Sequence, residues 1–254
     1  MTARVLVTRP AGTWPALAER FRGTSVLLQM TETTREADPF DPRPGEVALD
    51  RLDRCDWLVV TSGRGVAALA RRLAARGATV LPARLRVAAV GSATARALAG
   101  IGARVDLVSE EASSEGLAAA LHPRLTAGER VTIVRPEGAR GLLAAALRAA
   151  GVEVDEAPLY RTIASDRAVE LADAAIYGAF AAVVFTAPSS LDLWLDAAGP
   201  RRAALMDALR VAARVAIGPT TAAHLASMNL PADAVAETPA EDAVGDAIAR
   251  LFHL

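Results

Sequence analysis

The stretch that decides the fold is VAAVGSATARAL, Val87–Leu98, because it comes again as VAIGPTTAAHL, Val215–Leu225, about 127 residues later in a chain of 254. Each copy opens on a short β-branched and apolar run. A Gly follows, then small or hydroxyl-bearing residues, then an Ala-rich segment. A short, almost wholly apolar run suits a strand buried on both faces of a sheet. Ala is the strongest helix former, so each copy reads as strand, turn, helix. Two more units recur at nearly the same spacing. VVTSGRGVAAL (Val59–Leu69) pairs with VFTAPSSLDLWL (Val184–Leu195), about 125 apart, and VLVTRPAG (Val5–Gly12) with TIVRPEGA (Thr132–Ala139), about 126 apart. One such match is cheap; three at a common offset point to a tandem duplication and two similar lobes.

Outward from these units, six strands are expected: Arg4–Thr8, Trp57–Thr61, Val87–Val90, Val131–Val134, Ala182–Thr186 and Val215–Ile217. Segments between them, such as GVAALARRLAARG, carry apolar residues at helical spacing. This alternation predicts a doubly wound α/β architecture with parallel sheets. No Gly/Ser linker marks a midpoint. Texture changes instead at TREADPFDPRPGE (Thr34–Glu46) and at EAPLYRTIASDRAVE (Glu156–Glu170). The expected organisation is therefore a discontinuous first lobe from residues 1–34 plus 163–254. The middle lobe takes residues 36–160, with chain crossings near 28–36 and 156–164 and a cleft between the lobes.

Composition narrows the function. The net charge of −1 offers no footprint for nucleic acid or an anionic membrane surface. All the side-chain cations other than His are Arg, which reads as coding bias. The single cysteine, Cys55, rules out an internal disulfide or a CxxC metal or redox motif and reads as a buried spectator. The N-terminal MTARVLVTRP has too short an apolar run for a signal peptide, and no run approaches a membrane span. A soluble, cytoplasmic protein is expected.

In a parallel α/β sheet, ligands bind beyond the carboxyl ends of the strands. Here those ends read Thr8-Arg9-Pro10, Thr61-Ser62-Gly63, Gly91-Ser92, Thr186-Ala187-Pro188-Ser189, Gly218-Pro219-Thr220-Thr221 and Arg135-Pro136. The first turn of a helix has unpaired N–H groups and a partial positive charge, so it holds phosphate or carboxylate without a cationic side chain. Ser, Thr and Gly are also ordinary caps, so a single turn says little. A repeated set predicts a site for a polyanion on a nearly neutral protein. There is no G-x-G-x-x-G, and a P-loop is excluded by the absence of Lys. His122, His224 and His253 have no metal-ligand spacing, and no G-x-S-x-G elbow is present. No metal or other cofactor is expected. Trp14, Trp57 and Trp194 read as packing residues. Tyr160, in APLYRT, has two readings: a core tyrosine with its hydroxyl tied to backbone, or a weak acid facing the cleft.

The ordered set VLVTRP, VVTSGRGVAAL, VAAVGSATARAL, SSEGLAAAL (Ser113–Leu121), VRPEGARGLLAAALRAAGVEVDEAPLYRT and VAIGPTTAAHL resembles the uroporphyrinogen-III synthase family over nearly the whole chain. The resemblance implies two flavodoxin-like lobes joined by a two-stranded β-ladder. It also implies a monomer acting on hydroxymethylbilane, a linear tetrapyrrole with eight carboxylates, by loss of water and closure with ring D inverted. By the same resemblance Tyr160 is the tyrosine that helps the hydroxyl leave. Thr61, Ser62, Gly91, Ser92, Thr186, Ser189, Gly218, Thr220 and Thr221 match the cleft-lining turns, with Thr8 and Gly63 beside them. Ser114 and Glu115 match a further helix start. Ala187 departs from the family's Ser, which leaves only a backbone contact there. Arg9 and Arg135 face two alternatives, substrate carboxylates or ion pairs inside a lobe. A two-lobed anion-binding or sensor module without chemistry is the competing reading.

Overall fold

The computed structural model describes residues 2–78, 80–139 and 141–254. Strands and helices alternate along most of the chain: β1 (Ala3–Val7), α1 (Pro15–Arg20), β2 (Val26–Met30), β3 (Thr34–Ala37), α2 (Arg43–Asp50), β4 (Trp57–Val60), α3 (Gly63–Ala75), β5 (Arg86–Ala89), α4 (Ser92–Gly100), β6 (Leu107–Val108), α5 (Ser114–Leu121), β7 (Arg130–Pro136), α6 (Leu142–Ala149), β8 (Glu153–Ala164), α7 (Ala168–Ile176), β9 (Ala182–Phe185), α8 (Pro188–Ala197), α9 (Arg202–Val211), β10 (Ala213–Ala216), α10 (Pro219–Ser227), β11 (Ala234–Val235) and α11 (Glu241–Phe252). The chain divides into two compact units, Met1–Arg35 with Ile163–Leu254, and Glu36–Thr162.

The first unit holds a five-stranded sheet in the order β11-β10-β9-β1-β2. Every neighbouring pair in it is parallel. Numbered along the chain within the unit, the order from β2 is 2-1-3-4-5, the flavodoxin-like arrangement. Period-two alternation sends side chains to both faces. Leu6, Val183 and Phe185 join Leu171, Leu191, Trp194, Leu205 and Leu225 of the helices on one face. Val5, Val7, Val184 and Val215 meet Leu17 of α1 and Val244 and Ile248 of α11 on the other. These strands are therefore almost wholly apolar because neither face reaches water.

The second unit holds a six-stranded sheet in the order β3-β8-β7-β4-β5-β6. The pairs from β8 through β6 are parallel. Leu58, Val60, Val87 and Val134 pack under Leu49, Val66, Leu69 and Leu98. Trp57, Val59, Val131 and Ile133 pack against Leu117, Leu121, Leu143 and Leu147. Chain order in this unit differs from the first, since β7 and β8 come last. Matched by the sequence repeat instead, β4, β5, β6, β7 and β8 fall on β9, β10, β11, β1 and β2, and the spatial orders agree.

The agreement extends to individual hydrogen bonds. Val87 N–H donates to Asp106 Oδ2 at 2.9 Å, and Arg214 N–H donates to Asp233 Oδ2 at 2.7 Å. Asp106 and Asp233 return the bond from their own N–H groups to the carbonyls of Val87 and Arg214, both at 2.8 Å. All six expected strands are present, with ends within a few residues of those read. The four edge strands β2, β3, β6 and β11 have no counterpart among the expected strands, nor has the full length of β8. Two of the edges have only two residues, and β3 is TREA, with no apolar run to signal it.

Candidate active site

In the second unit the turn after β4 is the most elaborated. Ser62 is the N-cap of α3, extended at φ −166° and ψ 157°, and its Oγ accepts from Gly65 N–H at 2.9 Å. The same Oγ lies 2.8 Å from the Tyr160 hydroxyl. The space at Gly65 is tight. A Cβ there would stand 3.2 Å from Val134 Cγ1 and 3.3 Å from Ser62 Oγ. Gly63 is exposed at the first helical position. Thr61 Oγ1 donates to the Val134 carbonyl at 3.2 Å, stitching β4 to β7.

Tyr160 is only 3 % exposed and packs with Val60, Val66 and Val134. The ring is a core ring, but its hydroxyl is tied to a side chain, Ser62, rather than to backbone, which corrects that part of the core reading. β8 continues the apolar face into Tyr160, and the Ser62 side of the pair is half-exposed. Burial pushes the Tyr160 pKa up, and the Ser62 hydrogen bond and the Arg64 charge offset part of that. The hydroxyl keeps its proton through the neutral range.

A small pocket of about 50 Å³ brings three expected site residues together: Thr61, Ser114 and Arg135, with Glu156 on its wall. Arg135 Nε lies 2.7 Å from Glu156 Oε2, and its Nη1 donates to the Pro136 and Ala139 carbonyls. Of the two alternatives for Arg135, the ion pair inside the unit is the one seen. At α5 the capping residue is Ser113, not Ser114. Ser113 Oγ accepts from Gly116 N–H at 2.9 Å and donates to Glu111. The spacing S-x-x-G in SSEG was the available signal for that cap. Glu115 sits in the first turn of α5 and places its own charge at the favourable end of the dipole. Gly91, the cap of α4, is buried with Ala112 Cβ only 3.2 Å from where its own Cβ would be, whereas Ser92 is exposed.

The first unit repeats this design with less polar chemistry. Thr186 Oγ1 donates to the Thr8 carbonyl at 2.8 Å, the counterpart of Thr61 on Val134. Thr8 is buried and spends its hydroxyl on the Val184 carbonyl at 2.9 Å. Thr221 is buried too. Thr8 thus uses its hydroxyl within the sheet, and both threonines are buried in this unit. Gly218 and Thr220 open α10, with Thr220 exposed, and Ser189 is half-buried in α8. Ala187 caps α8 at φ −166° and ψ 157°, the same backbone as Ser62, with no side-chain cap. Arg9 Nε donates to Thr13 Oγ1 at 3.3 Å and its guanidinium lies 4.3 Å from the Trp14 ring. One pair escaped the sequence reading. His224 Nε2 on α10 meets Asp192 Oδ1 on α8 at 2.7 Å, residues 32 apart with no motif linking them.

Each unit is thus a mostly parallel sheet covered on both faces, with helix N-termini and small hydroxyl residues gathered at its strand ends. That defines a class: an α/β protein whose unpaired helix N–H groups collect at the carboxyl edges of parallel strands, where such folds bind ligands. The family profile described as Uroporphyrinogen-III synthase HemD matches residues 14–245, and the chain belongs to this family. It is 34% identical over 250 residues to a putative uroporphyrinogen-III synthase of Methanothermobacter thermautotrophicus, covering 96% of both chains. It is 30% identical over 159 residues to a uroporphyrinogen-III synthase of Synechococcus elongatus, covering 62% of this chain and 60% of that one. In fold it is similar to crystal structures of two uroporphyrinogen III synthases. A mutant from the extremely thermophilic bacterium Thermus thermophilus gives a TM-score of 0.68 at 22% identity, covering 99% of both chains. The enzyme from Helicobacter pylori gives 0.59 at 17% identity, covering 99% of this chain and 100% of that one. No helix among the described residues is long and apolar enough to cross a membrane.

Proposed function

We propose that this chain is a uroporphyrinogen-III synthase that converts hydroxymethylbilane to uroporphyrinogen III in tetrapyrrole biosynthesis. The observation that carries the reading is the 34% identity maintained over 96% of both chains, coupled to a second unit whose strand ends bear the Ser62–Tyr160 pair. The hydroxyl of ring A leaves as water, pushed out by the pyrrole nitrogen lone pair. The carbon left behind is attacked by ring D at its substituted position, and the spiro intermediate rearranges to the inverted macrocycle. The last pyrrole regains aromaticity by releasing the proton that balances the one taken by the departing hydroxyl.

In this reading Ser62 hydrogen-bonds the departing hydroxyl and Tyr160 supports Ser62 from inside the core. Burial makes Tyr160 a poorer acid, so the pair polarises the leaving group and transfers little charge. Most of the catalysis then lies in holding a reactive chain in one geometry. Unpaired N–H groups at α3, α4, α8 and α10 supply carboxylate binding without net positive charge. We also read the two units as products of one duplication, joined through a two-stranded ladder. The matched strand orders and the paired Asp106 and Asp233 bonds support the first, and the adjacency of β3 and β8 supports the second.

The test is to supply purified protein with freshly generated hydroxymethylbilane and resolve the product isomers. Type III product is expected. Only the type I isomer, formed at the rate seen without protein, would leave a binding module as the better reading.

A further inference from the structure

Arg161 follows Tyr160 on β8 and is held at two points. Its Nε donates to the Asp38 carbonyl at 2.8 Å, and its guanidinium carbon lies 3.8 Å from the centre of the Phe40 ring. Phe40 is 81% exposed, an uncommon position for a large aromatic. Its backbone is fixed as well: the Phe40 N–H donates to both oxygens of Glu137, at 3.0 and 3.2 Å. Glu137 N–H in turn donates to the Tyr160 carbonyl at 2.6 Å. Glu137 directly follows β7, so this cluster stands at the carboxyl end of β7, where Arg135 also stands.

The neighbouring arginines are committed elsewhere. Arg71 pairs with Glu36, Arg72 with Asp38 and Glu46, and Arg135 with Glu156. Arg161 makes no ion pair among the described residues. With Nε on a carbonyl and the plane stacked on a ring, its two Nη groups are the edge left to meet a ligand. That edge matches a carboxylate in bidentate fashion. Stacking removes rotamer freedom in advance, so less is lost when a carboxylate arrives.

We propose that Arg161 binds one carboxylate of the substrate, with Phe40 as the positioning residue that fixes the guanidinium plane. The identity of the substrate rests on the reading above; the carboxylate chemistry does not.

The probe is uroporphyrin III, the stable fluorescent octacarboxylate related to the product, titrated into the intact protein. Arg161→Gln should weaken its binding about fivefold to twentyfold, the range for one charged hydrogen-bonded contact at a half-exposed site. Arg161→Lys, which keeps the charge and loses the fork, should recover part of that loss. Phe40→Ala should weaken binding about twofold to fivefold by freeing the guanidinium, on the same scale. In turnover the Arg161→Gln change should appear in KM with kcat nearly unchanged. Unfolding curves that coincide with the parent's would show that the variants keep the fold. Binding by Arg161→Gln as tight as the parent's, or no binding by the parent, overturns the proposal. Failure of the parent to make type III product would instead overturn the functional reading, with the binding comparison still deciding the role of Arg161.

Discussion

In the proposed mechanism the chemistry turns on Tyr160 and Ser62, and the 2.8 Å contact between their hydroxyls sets how much each would contribute. General acid catalysis is typically worth about 10²–10⁴-fold. A buried phenol with a raised pKa falls below that range, so Tyr160→Phe is expected to lower kcat about tenfold and leave the product type III. Removing the hydroxyl also deletes a buried hydrogen bond, a stability loss of about 0.5–1.5 kcal/mol. Ser62→Ala should cost more, because it removes an N-cap worth about 1 kcal/mol and strands a buried hydroxyl. Unfolding in denaturant and product analysis measure both effects. A Tyr160→Phe enzyme with undiminished kcat would remove the pair from the mechanism. The raised pKa carries its own consequence for stability. Folding favours the protonated phenol, so its contribution is complete below the unfolded value of about 10 and declines as pH rises through the folded value. The stability advantage of the parent over Tyr160→Phe should therefore hold from pH ~8 to ~9.5 and shrink above pH ~10. A difference that stayed constant to the alkaline limit would contradict it. At this scale the sequence was legible only in part. APLYRT singled out Tyr160, but its partner lies 98 positions away, and no local pattern announces a contact made across β4, β7 and β8. Thr8 shows the opposite difficulty: a hydroxyl at a strand end looks the same in sequence whether it is free to meet a ligand or, as here, ties two strands together.

Among the elements, α3 and α8 make a controlled comparison inside one chain. Both start on a residue at φ −166° and ψ 157°, but Ser62 caps α3 whereas Ala187 leaves α8 uncapped. Pro188 already satisfies the first position by having no N–H to orphan. Ser190 N–H already donates to the Ala187 carbonyl at 3.0 Å, so Ala187→Ser should add a second acceptor there and stabilise the first unit by about 0.5 kcal/mol, the low end for a cap. The shift would be read from thermal or denaturant unfolding; an unchanged or lowered midpoint would show that the α8 start cannot place the hydroxyl as α3 does. The elements that were legible share one property. The six expected strands are all inner strands, buried on both faces at their centres and written there as apolar runs, so their sequence betrays them. Edge strands carry no such obligation. Val26–Met30 is only partly buried, and Thr34–Ala37 is mostly polar. The long β8 combines a charged beginning, an apolar centre at Ala157–Tyr160 and a polar end. None of the six expected strands falls on it, because its apolar centre is too short to stand out from the charged residues before it.

At the scale of the whole molecule, the proposed function makes both units contribute to one substrate, and hydroxyls in matching turns allow this to be tested. Ser92 and Thr220 are exposed in the first turns of α4 and α10, one in each unit, and neither is needed by its own core. A polyanion held mainly by backbone N–H groups should depend only weakly on any one hydroxyl. Ser92→Ala and Thr220→Ala should each raise KM by a factor corresponding to about 0.5–1.5 kcal/mol, the net worth of one hydrogen bond. The two sites share no partner, so the free energies should add in the double variant to within about 0.5 kcal/mol. The outcome separates three arrangements. Additive losses place both sets of strand ends on the same ligand. A loss confined to one variant, with the double no worse, assigns binding to one unit and leaves the other as scaffold. Abolition of binding by either change alone would mean that a single hydroxyl, rather than the distributed N–H groups, holds the substrate. The near-neutral net charge makes the first outcome the expected one. With 28 arginines balanced by 29 acids, and many of them paired within their own unit, long-range attraction is weak. Affinity for an octa-anion then has to come from many short contacts.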